Sequence, residues 1–421
     1  MEPRIDRLVS WARGHPAPPV VVECHLTNHC NLACRFCWLR IADPSTFKDE
    51  LPDSRFLELV EESARLGALE WRIIGGGEPL VRRATALAMM KQIKHLNMQG
   101  MLTTNGMLLD DEFIDQMIAD GWNTVTFSID GPDASIHDGL RGREGAFAAA
   151  YRALIRLRDR KTASRSPYPE VRFHTVLCRE NFRHLDRLVD LAAEVNCAQV
   201  LLQPMTIYAE SMRCLALTRE DEQWLQEALD DLTRRAAAAG VWTNFESMRE
   251  TDLVEKTTAM DEVIRQDLER VDDAEPFLSI PCYEPWYLLL IRPDGLVTPC
   301  NKFDYAGADG SVNSLEEIWY GDFFQHVRET LMKGNLLPIC STCCVGGVLE
   351  NRRVRELLRE AVSESKGAES SGGDRAVPAK GSMRWWFGKG LWNNVWNGVW
   401  KGFMKGHQSV GSRDRGGRDR R

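Results

Sequence analysis

From about Val20 to Tyr208 the chain repeats one pattern, a short β-branched run followed by a helical stretch. The strand candidates are VVVECHL (20–26), LEWRIIG (69–75), GMLTTN (100–105), TVTFSID (124–130), VRFHTVL (171–177) and AQVLLQP (198–204). Between them, Asp53–Leu66 and Asp110–Asp120 each carry one apolar stripe at helical spacing: Phe56, Leu57, Val60 and Ala64 in the first, Phe113, Met117 and Ile118 in the second. Alternation of this kind implies right-handed crossovers and a parallel sheet. Six units are too few to close an eight-stranded barrel, so the spacing predicts an open, partial barrel over 18–210. Chemistry then belongs on the loops at the strand C-terminal ends.

The rest of the chain divides by composition. Residues 211–281 read as a charged helical bridge, and 282–350 as short strands and turns. Residues 351–382 read as a helix followed by a Gly/Ser-rich flexible linker, and 383–421 as a Trp-rich, basic tail. The N-terminal MEPRIDRLVSWARGHP lacks the apolar core of a signal peptide. The longest apolar run, PWYLLLI at 285–291, falls far short of the roughly 20 residues that span a bilayer. Residues 380–421 carry ten Lys/Arg against two Asp, so the net charge of −8 leaves −16 on the remainder. An acidic body of this kind argues against nucleic acid as a partner, since phosphate contact needs a positive surface.

Twelve cysteines without an export signal read as metal ligands or buried thiols rather than as disulfides. Cys24, Cys178, Cys197 and Cys214 stand alone and are expected as small core hydrophobes. Cys30, Cys34 and Cys37 form a C-x3-C-x2-C run directly after the first strand. Three such thiolates can hold three corners of a 4Fe–4S cluster and leave one iron open to a substrate or cofactor. A zinc site completed by His25 or His29 is the competing reading.

This run, with Phe36 before its last cysteine and Gly75-Gly76-Gly77-Glu78-Pro79 after the second strand, resembles the radical S-adenosylmethionine (radical SAM) superfamily. The resemblance implies that the methionine group of SAM chelates the open iron while the glycine loop approaches it closely. It further implies reductive cleavage of SAM to a 5′-deoxyadenosyl radical that abstracts hydrogen. The stretch SIDGPDASIHDGLRG is similar to the family's SAM-contacting segment, in which Ser128 and Arg141 hold the carboxylate, the latter through its fork-shaped guanidinium. Thr104, Asn105 and Gln203, at strand ends on the same mouth, are expected to touch the methionine or ribose.

Cys282 and Cys300, with Gly295 between them, fit a C-x12-G-x4-C pattern, and Cys340 and Cys343 form a C-x2-C pair. These four are similar to the ligands of the auxiliary iron–sulfur domain called SPASM or twitch. No cysteine follows Cys344, which favours the shorter twitch form with one auxiliary 4Fe–4S cluster. Cys344 beside Cys343 leaves open which of the two is the ligand, and zinc remains the competing occupant. The fold implied is α/β: a partial (β/α)6 TIM-like barrel, a small twitch-type auxiliary cluster domain and a flexible amphipathic tail.

The resemblance leaves the substrate open. The leading expectation is net oxidation of a carbohydrate-like or lipid-linked small molecule, with the auxiliary cluster accepting the electron. A fully thiolate-ligated cluster suits that role, and the cysteine spacing is similar to that of an aminocyclitol dehydrogenase in the superfamily. The first alternative is a peptide maturase forming a cross-link or thioether; against it, only about eighteen residues precede the first strand. The second is a non-enzymatic zinc-binding interaction protein. His174 on the fifth strand is a candidate base, with a core role the competing reading. An oxygen-sensitive cluster implies a reducing cytoplasm, and its low-potential electron implies a flavodoxin- or ferredoxin-type reductant.

In the tail, residues 387–406 read FGKG, LWNN, VWNG, VWKG, FMKG, apolar pairs at a period of four that would drift slowly around a helix. Trp with Lys suits a membrane interface, so 383–406 is expected to contact the inner face of the membrane. Docking on a protein and service as a substrate, through Trp392-Asn393-Asn394 or Trp396-Asn397-Gly398, are the alternatives. On the anchor reading, the full chain pellets with anionic liposomes under anaerobic conditions and a chain ending at Ser382 does not.

Overall fold

A computed structural model describes residues 2–42, 49–249, 260–269, 271, 275–303 and 307–371. The Trp-rich segment and the three readings of it lie outside the described residues. Helix α1 (Pro3–Ala12) comes first, a helix absent from the sequence-based expectation. The alternation then follows as β1 (Val21–His25), α2 (Asp53–Leu66), β2 (Glu70–Ile74), α3 (Arg83–His95), β3 (Gln99–Thr104) and α4 (Asp111–Ala119). It continues through β4 (Thr124–Ser128), α5 (Ala134–Arg141), α6 (Ala146–Ser164), β5 (Glu170–Leu177), α7 (Leu185–Glu194) and β6 (Gln199–Pro204). All six expected strands are present, in sequence order and parallel.

The sheet does not stop there. After α8 (Arg219–Ala238), the two residues of β7 (Trp242–Thr243) pair in parallel with β6. Beyond α9 (Met260–Glu269), β8 (Leu288–Ile291) returns to the opposite edge and pairs in parallel with β1, Val21 opposite Leu288 and Cys24 opposite Ile291. Antiparallel β9 (Leu296–Thr298) and β10 (Ala308–Asp309) complete a ten-stranded sheet that is continuous from the barrel into the late cysteine segment. Helices α10 (Leu315–Trp319), α11 (Asp322–Met332) and α12 (Val345–Ser371) follow, the last beginning six residues before the closing helix expected from sequence.

The strands have two unlike faces because side chains alternate along them. One face, with Val22, Cys24, Trp71, Ile73, Leu102, Phe127, Phe173 and Leu202, is buried against the helices. The other carries Glu23, Arg72, Arg172, His174 and Gln203, only half-buried, and forms a polar concave wall. A second core joins the ends of the described chain: Ile5 and Leu8 of α1 pack with Val354 and Leu358 of α12, and Arg4 Nη1 lies 2.5 Å from Glu350 Oε1.

Three of the solitary cysteines, Cys24, Cys178 and Cys197, are buried as expected; Cys214 is exposed. It sits in the turn Glu210–Leu215, where Met212 and Leu215 take the inward positions. Among the described residues, no helix is long and apolar enough to cross a membrane. The apolar layer tolerates little added volume. A Cβ on Gly100 would lie 2.2 Å from the fully buried ring of Trp122. Gly100→Ala is therefore expected to cost about 1–3 kcal/mol in denaturant unfolding of the full chain.

Candidate functional site

Cys30, Cys34 and Cys37 lie on the loop leaving β1, clamped by backbone from two directions. From the glycine loop after β2, Gly77 N donates to Thr27 O at 2.6 Å and Glu78 N to His29 O at 2.9 Å. From the last turn of α5, the carbonyls of Arg141 and Leu140 accept from Ala33 N at 3.2 Å and Arg35 N at 2.9 Å. Both clamps need glycine. A Cβ on Gly77 would lie 2.0 Å from His29 O, and one on Gly142, where φ is +65°, would lie 2.3 Å from Ala33 O. Gly76 holds a φ of +53°, whereas Gly75 faces nothing within 4 Å and presents bare backbone to open space.

Side chains complete the clamp. Asn105 Nδ2 donates to Asn31 Oδ1 at 2.7 Å, and Arg143 Nη1 to Asn31 O at 2.6 Å. The buried Glu78 carboxylate accepts from Thr104 Oγ1 and Asn105 N, both at 2.7 Å, and from Leu80 N at 3.2 Å. Burial holds its pKa above the ordinary carboxylate value despite these donors. Glu78 and Thr104 are thus spent on each other, tying the glycine loop to the end of β3. Pro79 begins the turn Pro79–Arg82, of which Pro79 and Leu80 are buried, and continues this tie.

Arg141 is buried at the heart of the site. Its Nε pairs with Asp130 Oδ2 at 2.6 Å, its Nη1 reaches Cys34 Sγ at 3.7 Å, and its guanidinium lies 5.5 Å from the Phe36 ring centroid. Asp130, fully buried, is held in turn by Val176 N at 2.9 Å and donates its own N–H to His137 Nδ1 at 3.2 Å. Phe36 packs against Leu140, Cys178 and Met205. Ser128 ends β4 opposite His174, whose Nε2 lies 2.9 Å from Gln203 Oε1. Burial lowers the His174 pKa, which favours the neutral imidazole. Every glycine-loop and strand-end residue singled out from sequence therefore sits at one end of the sheet. Asp130, Gly142 and Arg143 belong with them and were not assigned. Asp130 lay inside the SIDGP stretch, and Gly142 directly follows Arg141.

The late cysteines meet in a second place. Cys282, Cys300, Cys340 and Cys343 line one pocket with Glu284, Lys302, Asn351 and Arg355. Cys344 does not line it, although a Cβ on Gly347 would lie 3.4 Å from both Cys343 Sγ and Cys344 Sγ. Burial pushes the Cys282 and Cys300 thiols up, and it pushes the Glu284 carboxyl up to about 8 together with the negative field of Cys344. Across the pocket wall, Lys302 Nζ lies 3.5 Å from Tyr208 Oη of the barrel.

Among the described residues no three Cys, His, Asp or Glu side chains converge on a point that would hold a single metal ion. A 4Fe–4S cluster makes a different demand, since each thiolate binds its own iron. The donor sets fit such clusters: three thiols on one clamped loop beside open glycine backbone, and four half-buried thiols around one pocket. Loading them must displace protons, because burial raises the Cys30 and Cys37 thiols as well. Gly142→Ala is expected to push the first loop off α5, so that the anaerobically reconstituted protein loses most of one cluster's iron while its circular dichroism is unchanged.

The radical SAM superfamily profile matches residues 25–192, and that of the iron–sulfur cluster-binding SPASM domain matches 282–344. The mycofactocin maturase MftC of Mycolicibacterium smegmatis is 31% identical over 193 residues, 45% of each chain, so this chain matches less than half of that relative's length. The PqqA peptide cyclase of Xanthomonas oryzae is 26% identical over 335 residues, 77% of this chain and 80% of that one. Among solved structures, Streptococcus suis SuiB superposes with a TM-score of 0.56 at 17% identity, covering 74% of this chain and 68% of its own. The AdoMet-bound anSMEcpe gives 0.53 at 15% identity, covering 84% and 96%. With one profile on the first cysteine loop and the other on the second set, the chain carries a radical SAM domain followed by a SPASM-type iron–sulfur domain, with SAM and 4Fe–4S clusters as its cofactors.

Proposed function

We propose that this chain is a peptide-modifying radical SAM enzyme that oxidises a side chain of a precursor peptide. The observation that carries the reading is the similarity to a peptide cyclase along 77% of the chain, through both cysteine sets. The expectation of a carbohydrate-like or lipid-linked substrate gives way to it, because both curated relatives compared are peptide cyclases or maturases by name.

In this reading Cys30, Cys34 and Cys37 hold the first cluster, Gly75–Gly77 approach the methionine, and Ser128 and Arg141 take its carboxylate. The Arg141 guanidinium is ion-paired with Asp130 on its Nε side and lies beside Cys34 through Nη1, and Nη2 is the atom assigned to that carboxylate. When SAM and cluster are bound, one-electron cleavage of the sulfonium supplies a 5′-deoxyadenosyl radical that abstracts hydrogen. Cys282, Cys300, Cys340 and Cys343 would hold the auxiliary cluster, which would supply an acceptor for the electron left on the substrate, the accompanying proton going to solvent. The peptide lies along the concave wall, where Glu23, Arg72, Arg172 and Gln203 offer donors and acceptors to its backbone. A flavodoxin- or ferredoxin-type protein supplies the reducing electron.

Incubating the anaerobically reconstituted enzyme with SAM, dithionite and a peptide encoded beside its gene is expected to yield 5′-deoxyadenosine and a peptide lighter by a pair of hydrogens. Cys34→Ser is expected to abolish both products. Sugar-dependent, peptide-independent formation of 5′-deoxyadenosine would overturn the peptide reading.

A further inference from the structure

Helix α12 reaches into the auxiliary pocket with one polar side chain. Asn351 is buried and makes a closed set of contacts. Its Oδ1 accepts from Tyr283 N at 2.7 Å, its Nδ2 donates to Gly347 O at 2.8 Å, and the same Nδ2 points at Cys282 Sγ at 3.6 Å. One amide therefore brackets Cys282, gripping the backbone of the next residue and offering an N–H to the sulfur. Arg355, one turn on, donates to Leu278 O at 3.1 Å and Ile280 O at 2.9 Å, which holds the approach to Cys282 against the same helix.

We propose that Asn351 is a positioning residue that sets the reduction potential of the auxiliary cluster through an N–H···S bond to Cys282. This rests on the assignment of Cys282, Cys300, Cys340 and Cys343 as cluster ligands. A hydrogen bond to a ligating sulfur withdraws electron density from it and stabilises the reduced, more negative cluster more than the oxidised one. The potential of the cluster then decides how readily it accepts an electron from the substrate. Asn351 thus has two roles: Oδ1 on Tyr283 N and Nδ2 on Gly347 O brace the backbone, and Nδ2 also tunes the sulfur.

Two substitutions weigh the roles against each other. Asn351→Asp has nearly the same shape and keeps the acceptor for Tyr283 N, but replaces the donor to both Gly347 O and Cys282 Sγ by a carboxylate oxygen. Asn351→Leu removes both and adds no charge. Reconstituted wild type and both variants are titrated anaerobically, with the auxiliary signal followed by electron paramagnetic resonance and iron counted per chain. The expected result is full iron in Asn351→Asp and a lower auxiliary midpoint potential in each variant that keeps its iron, with the first cluster's potential unchanged. An unchanged auxiliary potential at full iron would overturn the tuning role. So would loss of the auxiliary iron from both variants, since both lack the Nδ2–Gly347 O bond and bracing then accounts for the whole effect. A wild type that assembles only the first cluster would instead remove the auxiliary-ligand assignment itself.

Discussion

Everything that carries chemistry in this chain hangs from one strand. β1 pairs along one edge with β2 and along the other with β8, in parallel register on both sides. Its C-terminal end runs straight into the loop of Cys30, Cys34 and Cys37, and its neighbour β8 begins six residues after Cys282. Val20 N and Val21 N both donate to Tyr287 O, at 2.8 and 3.0 Å, pinning the start of β8 to the start of β1. Two centres far apart in sequence are thus referred to the same five-residue beam. Because a strand's side-chain period is two, a slip of one residue in this pairing would turn Glu23 from the concave wall into the apolar layer.

The first site is built mostly from backbone, and the contacts are too close for any residue but glycine at two points. Side chains then brace the brace: Glu78 on Thr104 and Asn105, and Asp130 on Arg141. Such a site holds its geometry before a ligand arrives, which is what a cofactor with a reactive, short-lived product requires. The buried Asp130–Arg141 pair is costly to desolvate, and breaking it by removing one partner leaves the other charge buried alone.

The barrel was legible because its strands are long enough to show β-branched runs and its helices long enough to show a stripe. The cysteine sets were legible from spacing, independently of the fold. What escaped was either short or long-range. β7 has two residues and no period to read. β8 reads as an apolar run, and nothing local says that it joins the barrel beside β1. α1 does carry Ile5 and Leu8 at helical spacing behind a proline at its start, a signal that was present and unread. Gly142 and Asn351 matter through what lies against them, Ala33 O and Cys282 Sγ, and such adjacency has no trace in a single sequence.

The packing of α1 on α12 sets an order in time. A ribosome delivers about 5–20 residues per second from the N-terminus, so α1 is made well before the helix that covers Ile5 and Leu8. The barrel strands and the first cysteine loop can close while the chain is still being translated. The pocket around Cys282 cannot, because Asn351 and Arg355 emerge after all four of its cysteines. The auxiliary pocket is therefore the later of the two sites to be completed, when α12 meets α1.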